Sequence, residues 1–210
     1  MQRMQKRLFD ILFSFIGLLV LSPLFAAAAV LIKLDSRGPV FFRQTRVGRH
    51  FRPFVIYKFR TMREGAEKKG ALITVGGDVR VTKVGHFLRT YKIDELPQLF
   101  NVLRGDMSLV GPRPEVMEYV QLFRADYEKL LRIRPGITDP ASLRYSAEES
   151  VLASADNCQE DYLKRILPEK IRLSLRYLDD RNFFTDFALI LQTIFKVTDV
   201  RRLMRKIGLL

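Results

Sequence analysis

The segment GLLVLSPLFAAAAVLIK (residues 17–33) is apolar enough for a lipid bilayer, yet Ser22 and Pro23 interrupt it. The run 11–32 contains no charged residue, and a helix of that length rises about 33 Å, which matches a hydrocarbon core. Pro23 lacks an amide hydrogen and its ring crowds the carbonyl of Leu19, so a helix must bend there, with the Ser22 hydroxyl available to the freed backbone group. The sequence therefore predicts a bilayer segment made of two short helices.

Two topologies fit this broken segment, a kinked span and a re-entrant hairpin that returns to the same face. Each limb is only about 16 Å long. A span would export the basic N-terminus against the positive-inside preference, which favours re-entry, although proline also occurs in spanning helices. A signal peptide fits less well, because its apolar region is shorter and this run leads directly into charge. Basic residues flank both ends of the run: Arg3, Lys6, Arg7, Lys33 and Arg37.

Length and composition indicate one domain in addition to the membrane element. The 210 residues contain 36 Lys and Arg against 23 Asp and Glu, a net charge of +13, which implies a polyanionic partner such as lipid headgroups, nucleotide phosphates or nucleic acid. The single cysteine, Cys158, excludes an internal disulfide framework. With only His50 and His86 beside it, a structural zinc site is disfavoured. We divide the chain into a re-entrant hairpin at 1–36 and a domain at 37–210.

The pattern of the remaining chain predicts an α+β fold that is mostly helical. Two β-branched and aromatic runs, 40–48 and 54–62, read as a small β-hairpin. The polar stretch 63–70 reads as a loop or frayed helix. Helical spacing and Gly/Pro punctuation predict the other segments: a helix at 85–106 interrupted near 93 and closed by Gly105, a non-helical segment at 108–115, a helix at 115–131, a rigid loop at 134–142, and helices near 146–155, 168–179 and 184–196.

The last residues, 197–210, place apolar and basic side chains on opposite sides of a helix. Such a helix suits a membrane surface with anionic lipids, and equally a solvated helix that docks on the core. The predicted architecture is thus a compact helical domain with interfacial amphipathic helices.

The stretch KIDELPQLFNVLRGD (92–106) carries the best candidate chemistry. Asp94 and Glu95 precede a helix whose first turn accommodates Pro97, because early helical amides have no intrahelical partner. The helix dipole favours a carboxylate there, and the same amides can hold a phosphate or orient an attacking carboxylate. Two adjacent acids also suit Mg²⁺ shared with substrate phosphates. Simple helix capping is the alternative explanation.

Four basic residues could complete a phosphate site. Prolines fix the backbone around Arg113 in GPRP (111–114), so its guanidinium loses little entropy on clamping a phosphate. Lys58 and Arg60 alternate along one side of a predicted strand, and Arg89 lies five residues before the acids. Each alone also fits an ordinary turn or solvated surface. The sequence has no Walker loop and no dinucleotide fingerprint, so the combination indicates phosphate chemistry at a membrane surface.

Five motifs follow one another along the chain: RLFDILFSFIGLLVLSPLF (7–25), GPVFFRQTRVGR (38–49), YKFRTM (57–62), IDELPQLFNVLRGDMSLVGPRP (93–114) and RPGIT (134–138). Together they closely resemble the monotopic phosphoglycosyl transferases, the bacterial sugar transferases that begin glycan assembly on polyprenyl phosphate. A weaker similarity follows at 177–194. The resemblance implies a re-entrant helix broken at Ser22 and Pro23, and a catalytic domain on the cytoplasmic face of the bacterial inner membrane.

The resemblance also implies a two-step reaction and a role for each candidate residue. Asp94 would attack the β-phosphate of a UDP-sugar, expel UMP and hold the sugar phosphate covalently until polyprenyl phosphate takes it. Glu95 would bind Mg²⁺ with Asp94 or handle a proton, and Arg113 would contact phosphate. Lys58, Arg60 and Arg89 would form an electropositive rim.

Some residues depart from the family pattern and leave questions open. Many relatives read GITGWAQVNGR where this chain reads GITDPASLRYS (136–146), and an acidic residue where Ser174 falls. The Asp139–Pro140 loop lies near the expected sugar pocket, so the sugar is undetermined. The short N-terminus argues against the extra spanning helices of larger relatives.

The expected partners are a UDP-sugar, polyprenyl phosphate and the phospholipid bilayer, with no nucleic acid; a homo-oligomer is compatible with the sequence. Two alternatives stay open. The first is a membrane-anchored basic protein that binds lipid or nucleic acid without catalysis. The second is a UDP-sugar hydrolase with water as the final acceptor.

Overall fold

The apolar N-terminus folds into two helices that meet at a sharp bend. The computed structural model describes residues 2–66, 78–146 and 157–197. Helix α1 (Gln2–Val20) and helix α2 (Ser22–Asp35) meet at 59°. The Ser22 hydroxyl donates a hydrogen bond of 2.8 Å to the carbonyl of Leu19, the group that Pro23 crowds, so the predicted break is confirmed. No single helix in the described ranges is long and apolar enough to cross a membrane, whereas this bent pair meets both criteria together.

One face of α1 is polar and binds the rest of the protein. Arg7 donates hydrogen bonds to the carbonyls of Val102 (2.6 Å) and Leu103 (2.9 Å). One turn further along, Asp10 accepts a hydrogen bond of 3.1 Å from the amide of Leu109. Residues three to four apart share a helix face, so this face is held against the domain while apolar side chains on the opposite face are exposed.

The predicted hairpin is present and leads to the candidate site. Strands β1 (Phe41–Val47) and β2 (Pro53–Phe59) pair antiparallel, with Phe41 opposite Phe59 and Val47 opposite Pro53. The connection contains His50, whose φ of 57° lies in the left-handed region. Strand β2 thereby brings Lys58, its penultimate residue, to the end of the hairpin.

Two helices flank the acidic motif, as predicted. Helix α3 (Lys83–Thr90) and helix α4 (Gln98–Arg104) are separated by a 3₁₀ turn, and Gly105, with φ of 91°, ends α4. The side chain of Asn101 accepts a hydrogen bond from the amide of Tyr57 (3.0 Å) and donates one to the carbonyl of Val55 (2.7 Å). These two bonds fix α4 beside strand β2.

A second, parallel pair of strands was not predicted. Strand β3 (Ser108–Val110) lies in the segment predicted to be non-helical, and β4 (Gly136–Thr138) lies in the segment predicted to be a rigid loop. Each strand is only three residues long, and its partner lies far away in sequence, so local pattern gives no signal for the pairing. The backbones come very close beside them: a Cβ on Gly136 would lie 2.1 Å from the nitrogen of Gly111, which only glycine tolerates.

Helices make up the rest of the described chain, with two differences from expectation. The predicted helix 115–131 is broken at Phe123, where ψ is 39°. The predicted loop 134–142 contains not only β4 but the start of a helix capped by Asp139. The helices are α5 (Met117–Leu122), α6 (Arg124–Leu130), α7 (Pro140–Arg144), α8 (Cys158–Asp161), a π-helical turn (Tyr162–Ile166), α9 (Leu167–Asp180) and α10 (Phe183–Val197).

Helices α9 and α10 confirm the predicted segments 168–179 and 184–196. The helix predicted near 146–155 and almost all of the amphipathic segment 197–210 lie outside the described residues, as does part of the loop 63–70. The largest core packs α5, α6, the π-helical turn and α9 together. The predicted α+β, mostly helical fold with a small hairpin is therefore confirmed, and the division at residue 36 stays a prediction.

Candidate active site

The acidic motif lies in the 3₁₀ turn Ile93–Glu95, at the entrance to α4. Lys92 precedes it in the left-handed region, with φ of 55° and ψ of 19°, which is uncommon for a residue other than glycine. Pro97 is the N-cap of α4 and lies where no amide donor is needed. This local path buries Asp94 and directs Glu95 toward strand β2.

Glu95 is held between two cations from distant parts of the chain. Its Oε1 accepts a hydrogen bond of 2.8 Å from Lys58 Nζ. Arg113 donates to both carboxylate oxygens, with distances of 2.5 Å to Oε1 and 3.2 Å to Oε2. Burial alone would raise the pKa of Glu95, but Arg113 and Lys58 outweigh it and hold that pKa well below its ordinary value. Glu95 is thus an anion that binds two of the four predicted phosphate-binding cations, Lys58 and Arg113.

Asp94 lies beside this group and has a different environment. It is 8% exposed, and its Oδ1 is enclosed without accepting a hydrogen bond. Burial raises the pKa of Asp94 to about 6, and the neighbouring Glu95 carboxylate pushes it in the same direction. A buried carboxylate oxygen without a donor is costly, and a poised, desolvated carboxylate is what a nucleophile or an acid–base group requires.

The surrounding charge is predominantly positive. Lys58, Lys92 and Arg89 all act electrostatically to lower the pKa of Asp94. Burial lowers the pKa of Lys58, against the attraction of Glu95. Lys92 was not among the predicted site residues, although a basic residue two positions before Asp94 was a visible signal. These cations make the site suitable for an anionic group such as a diphosphate.

The other two predicted cations, Arg89 and Arg60, form hydrogen bonds in different parts of the structure. The Arg89 Nε donates a hydrogen bond of 2.8 Å to the Thr61 hydroxyl, which positions the helix α3 cation beside the acidic turn. Arg60 is buried and donates to the carbonyl oxygens of Ser36 (2.7 Å) and Arg37 (2.5 Å). Arg60 therefore binds the chain just beyond the C-terminus of α2, although it is only two residues from Lys58 along the chain.

The two positions that depart from the family pattern lie in contact. The hydroxyl of Ser174, in α9, donates a hydrogen bond of 2.7 Å to Oδ2 of Asp139. The other oxygen of Asp139 accepts a hydrogen bond of 2.7 Å from the amide of Ser142 and so caps α7. Asp139 is completely buried. The altered loop is thus fixed against α9 by a carboxylate supplied from the loop itself.

A metal ion at this site would depend on the substrate for most of its ligands. Within the described ranges no three His, Cys, Asp or Glu side chains lie together as a metal cluster. Both oxygens of Glu95 already have cationic partners, whereas Oδ1 of Asp94 has none. One carboxylate together with substrate phosphates is a common arrangement for Mg²⁺, so Asp94 would hold such an ion together with the substrate phosphates.

Comparison with known sequences identifies the family and several relatives of this chain. The chain matches the bacterial sugar transferase family over residues 1–200. It is 43% identical over 192 residues to an Aeromonas hydrophila protein named UDP-N-acetylgalactosamine-undecaprenyl-phosphate N-acetylgalactosaminephosphotransferase. The matching region covers 90% of this chain and 42% of that protein.

Two further relatives have different lengths. The uncharacterized sugar transferase EpsL of Bacillus subtilis is 37% identical, covering 91% of this chain and 86% of that protein. UDP-glucose:undecaprenyl-phosphate glucose-1-phosphate transferase of Escherichia coli is 36% identical, covering 92% of this chain and 40% of that protein. The chain thus spans about two fifths of the Aeromonas and Escherichia proteins. The match over residues 1–200 shows that this chain belongs to the bacterial sugar transferase family.

Proposed function

We infer that this protein transfers a sugar-1-phosphate from a UDP-sugar to polyprenyl phosphate, giving a polyprenyl-diphosphate sugar and UMP. The names of the Aeromonas and Escherichia relatives support the substrate classes. The observation that carries the proposal is the pairing of Asp94, whose Oδ1 is buried without a donor, with Glu95, which holds Lys58 and Arg113. This is the arrangement needed to bring a carboxylate and a phosphate, both anionic, together.

The reaction proceeds by two displacements at one phosphorus atom. A carboxylate oxygen of Asp94 bonds to the β-phosphorus of the UDP-sugar, the bond from that phosphorus to the bridging oxygen breaks, and UMP leaves with that oxygen. A phosphate oxygen of the polyprenyl phosphate then bonds to the same phosphorus, and the bond to Asp94 breaks. Arg113 and Lys58 stabilise the charge on the phosphoryl oxygens in both steps. Arg89 lies at the edge of this group, whereas Arg60 holds the chain after α2.

We include Mg²⁺ as the cofactor, with Asp94 and the substrate diphosphate as its ligands. Glu95 would hold the ion as well if the substrate drew Lys58 or Arg113 away from it. When bound, the ion neutralises negative charge on the diphosphate. The protein residues orient the diphosphate and exclude water around Asp94.

The protein acts at the cytoplasmic face of the bacterial inner membrane, with α1 and α2 as a re-entrant hairpin. Exposed apolar residues on α1, α2 and α10 support bilayer contact. We expect probes at both ends of the hairpin to react from the same side. In a Cys158→Ser background, the variants Met4→Cys and Arg37→Cys should be labelled only after the cytoplasmic side is opened, and labelling from opposite sides would establish a span. The exposed residues include Leu8, Leu12, Phe15, Leu19, Val30, Leu34, Phe184, Phe187 and Phe195.

The decisive experiment measures UMP from a panel of UDP-sugars, with and without polyprenyl phosphate, followed by intact-mass analysis of protein trapped with UDP-sugar alone. We expect UMP release that depends on lipid for turnover, and a sugar-phosphate adduct at Asp94. Free sugar phosphate without lipid would identify a hydrolase. Salt-sensitive binding of lipid or nucleic acid with no UMP would identify a binding protein, and either result would overturn the proposal.

A further inference from the structure

Glu115 is a buried acid two residues after Arg113, and it lies outside the group around Glu95. It is 7% exposed. Its Oε1 accepts a hydrogen bond of 3.2 Å from the hydroxyl of Tyr162 and lies 4.0 Å from Lys170 Nζ. Its Oε2 accepts a hydrogen bond of 3.4 Å from Arg46. Lys170 is itself buried and lies over the ring of Tyr162, so Glu115 is fixed by groups from three separate elements.

The backbone around Arg113 is fixed on both sides. Before it, the carbonyl of Pro112 accepts a hydrogen bond of 2.9 Å from the amide of Gly136. After it, the carbonyl of Pro114 accepts one of 3.4 Å from Arg46. The carbonyl of Glu115 accepts one of 3.0 Å from the amide of Val47. The segment is therefore held by β4 on one side and by β1 together with the Glu115 side chain on the other.

The side chain of Arg113 is half-exposed and extends from this fixed backbone segment. Its guanidinium must reach Glu95, 18 residues earlier in the chain, with both of its terminal nitrogens. The two prolines leave the backbone at 112–114 little freedom to adjust. A displacement of the Glu115 anchor is therefore transmitted along a stiff segment to the guanidinium. Positional errors of about 1 Å in a phosphate clamp can cost about 100-fold in rate.

We propose that Glu115 is a positioning residue for Arg113: the Arg46–Glu115–Tyr162–Lys170 group sets where the guanidinium meets the substrate phosphate. Glu115 does not touch the substrate in this scheme. The inference rests on the proposed transferase function, in which Arg113 binds phosphate during the displacement.

Two substitutions test the anchor. Glu115→Gln keeps the shape but removes the charge that faces Arg46 and Lys170. Tyr162→Phe removes only the hydroxyl. We expect kcat to fall about tenfold or more for Glu115→Gln and about threefold for Tyr162→Phe, with smaller changes in KM, because the lost interaction is with the transition state. If Glu115→Gln does not fold, Tyr162→Phe still carries the test.

A matched control separates positioning from general loss of stability. Tyr177 is also buried, and its hydroxyl also donates to a buried acid, Asp186, at 2.5 Å. Tyr177→Phe should lower the melting temperature about as much as Tyr162→Phe while leaving kcat unchanged. Equal losses of kcat in the two tyrosine variants would assign both effects to stability and overturn the inference.

A double-mutant cycle with Arg113 provides the decisive readout. If Glu115 acts through Arg113, Glu115→Gln should cause no further loss of kcat/KM in an Arg113→Ala background, and Tyr162→Phe should behave in the same way. Losses that multiply would overturn the inference, as would normal kcat in both anchor variants. Failure of the proposed function is distinguishable, since the unsubstituted protein would then release no UMP or Arg113→Ala would turn over normally.

Discussion

Asp94 and Asp186 are two aspartates with the same exposure, 8%, and opposite surroundings. Asp186, in the first turn of α10, accepts hydrogen bonds from the Tyr177 hydroxyl at 2.5 Å and from Lys6. Asp94, in the turn before α4, has an enclosed Oδ1 that accepts none. Burial with partners stabilises a fold, whereas burial without them costs stability and is kept where chemistry needs it. The contrast distinguishes a structural acid from a candidate nucleophile.

The largest expected effect is that of Asp94→Asn. We expect loss of UMP release by at least about 10⁴-fold, as for removal of a nucleophile. The melting temperature should be unchanged or higher, because a neutral amide replaces a poorly solvated carboxylate. UMP assays and thermal unfolding in the same detergent measure both quantities. Substantial remaining turnover would remove Asp94 from the chemistry.

Glu95→Gln should affect activity and stability together. Lys58 and Arg113 would lose their shared anionic partner and move, so kcat/KM should fall about 100-fold. The free energy of unfolding should fall by about 1–3 kcal/mol, reduced from the cost of a fully buried pair because Arg113 is partly solvated. Steady-state kinetics and denaturant titration test this. A variant that loses activity at full stability would show that Glu95 does not hold the two cations.

Asp186→Asn makes the same substitution as Asp94→Asn, but at the aspartate whose carboxylate accepts hydrogen bonds. We expect a loss of about 1–2 kcal/mol in the free energy of unfolding, because the Tyr177 hydroxyl and Lys6 lose a charged acceptor. In contrast, kcat/KM should change less than about twofold, within the range of distant substitutions. Denaturant titration and UMP assays measure the two. If Asp186→Asn were as inactive as Asp94→Asn, the contrast between the two acids would fail.

The last prediction concerns pH. Because the pKa of Asp94 is raised to about 6, its carboxylate is mostly ionised at pH 7 and mostly protonated at about pH 5. We therefore expect kcat/KM to fall about tenfold over that interval. The effect of pH on stability has the opposite direction. Because the pKa of Asp94 is higher in the folded than in the unfolded protein, proton binding to Asp94 stabilises the folded state at low pH. This stabilisation is lost as pH rises from the pKa of the unfolded protein through about 6. Relative to the unsubstituted protein, Asp94→Asn should gain stability over the same interval, and a constant difference would contradict the raised pKa.

Local sequence was sufficient for features whose cause is local. The proline at position 23 bends the N-terminal helices, Gly105 ends α4, and β-branched and aromatic runs form the hairpin. Local sequence also placed Asp94 and Glu95 before a helix. In each case the side chain or backbone restriction acts within a few residues.

Features that depend on residues far apart in the chain could not be predicted from local sequence. Strands β3 and β4 are defined by pairing across the chain. Lys58 and Arg60 were expected on one basic face, but their partners lie in different places, Glu95 for one and the end of α2 for the other. The side-chain contacts of Glu115 come from β1, the π-helical turn and α9. Sequence spacing gives residue types and faces, whereas partners are set by the tertiary fold.

The polar face of α1 has a consequence for how the protein is made. Arg7 and Asp10 bind backbone groups of residues that are synthesised roughly a hundred positions later. Until those residues leave the ribosome, the charged side chains of Arg7 and Asp10 lack these partners, and burying them in hydrocarbon is energetically costly. In the proposed re-entrant topology, stable insertion of the hairpin should therefore wait for the domain to fold, so that anchoring and folding are completed as a single late event.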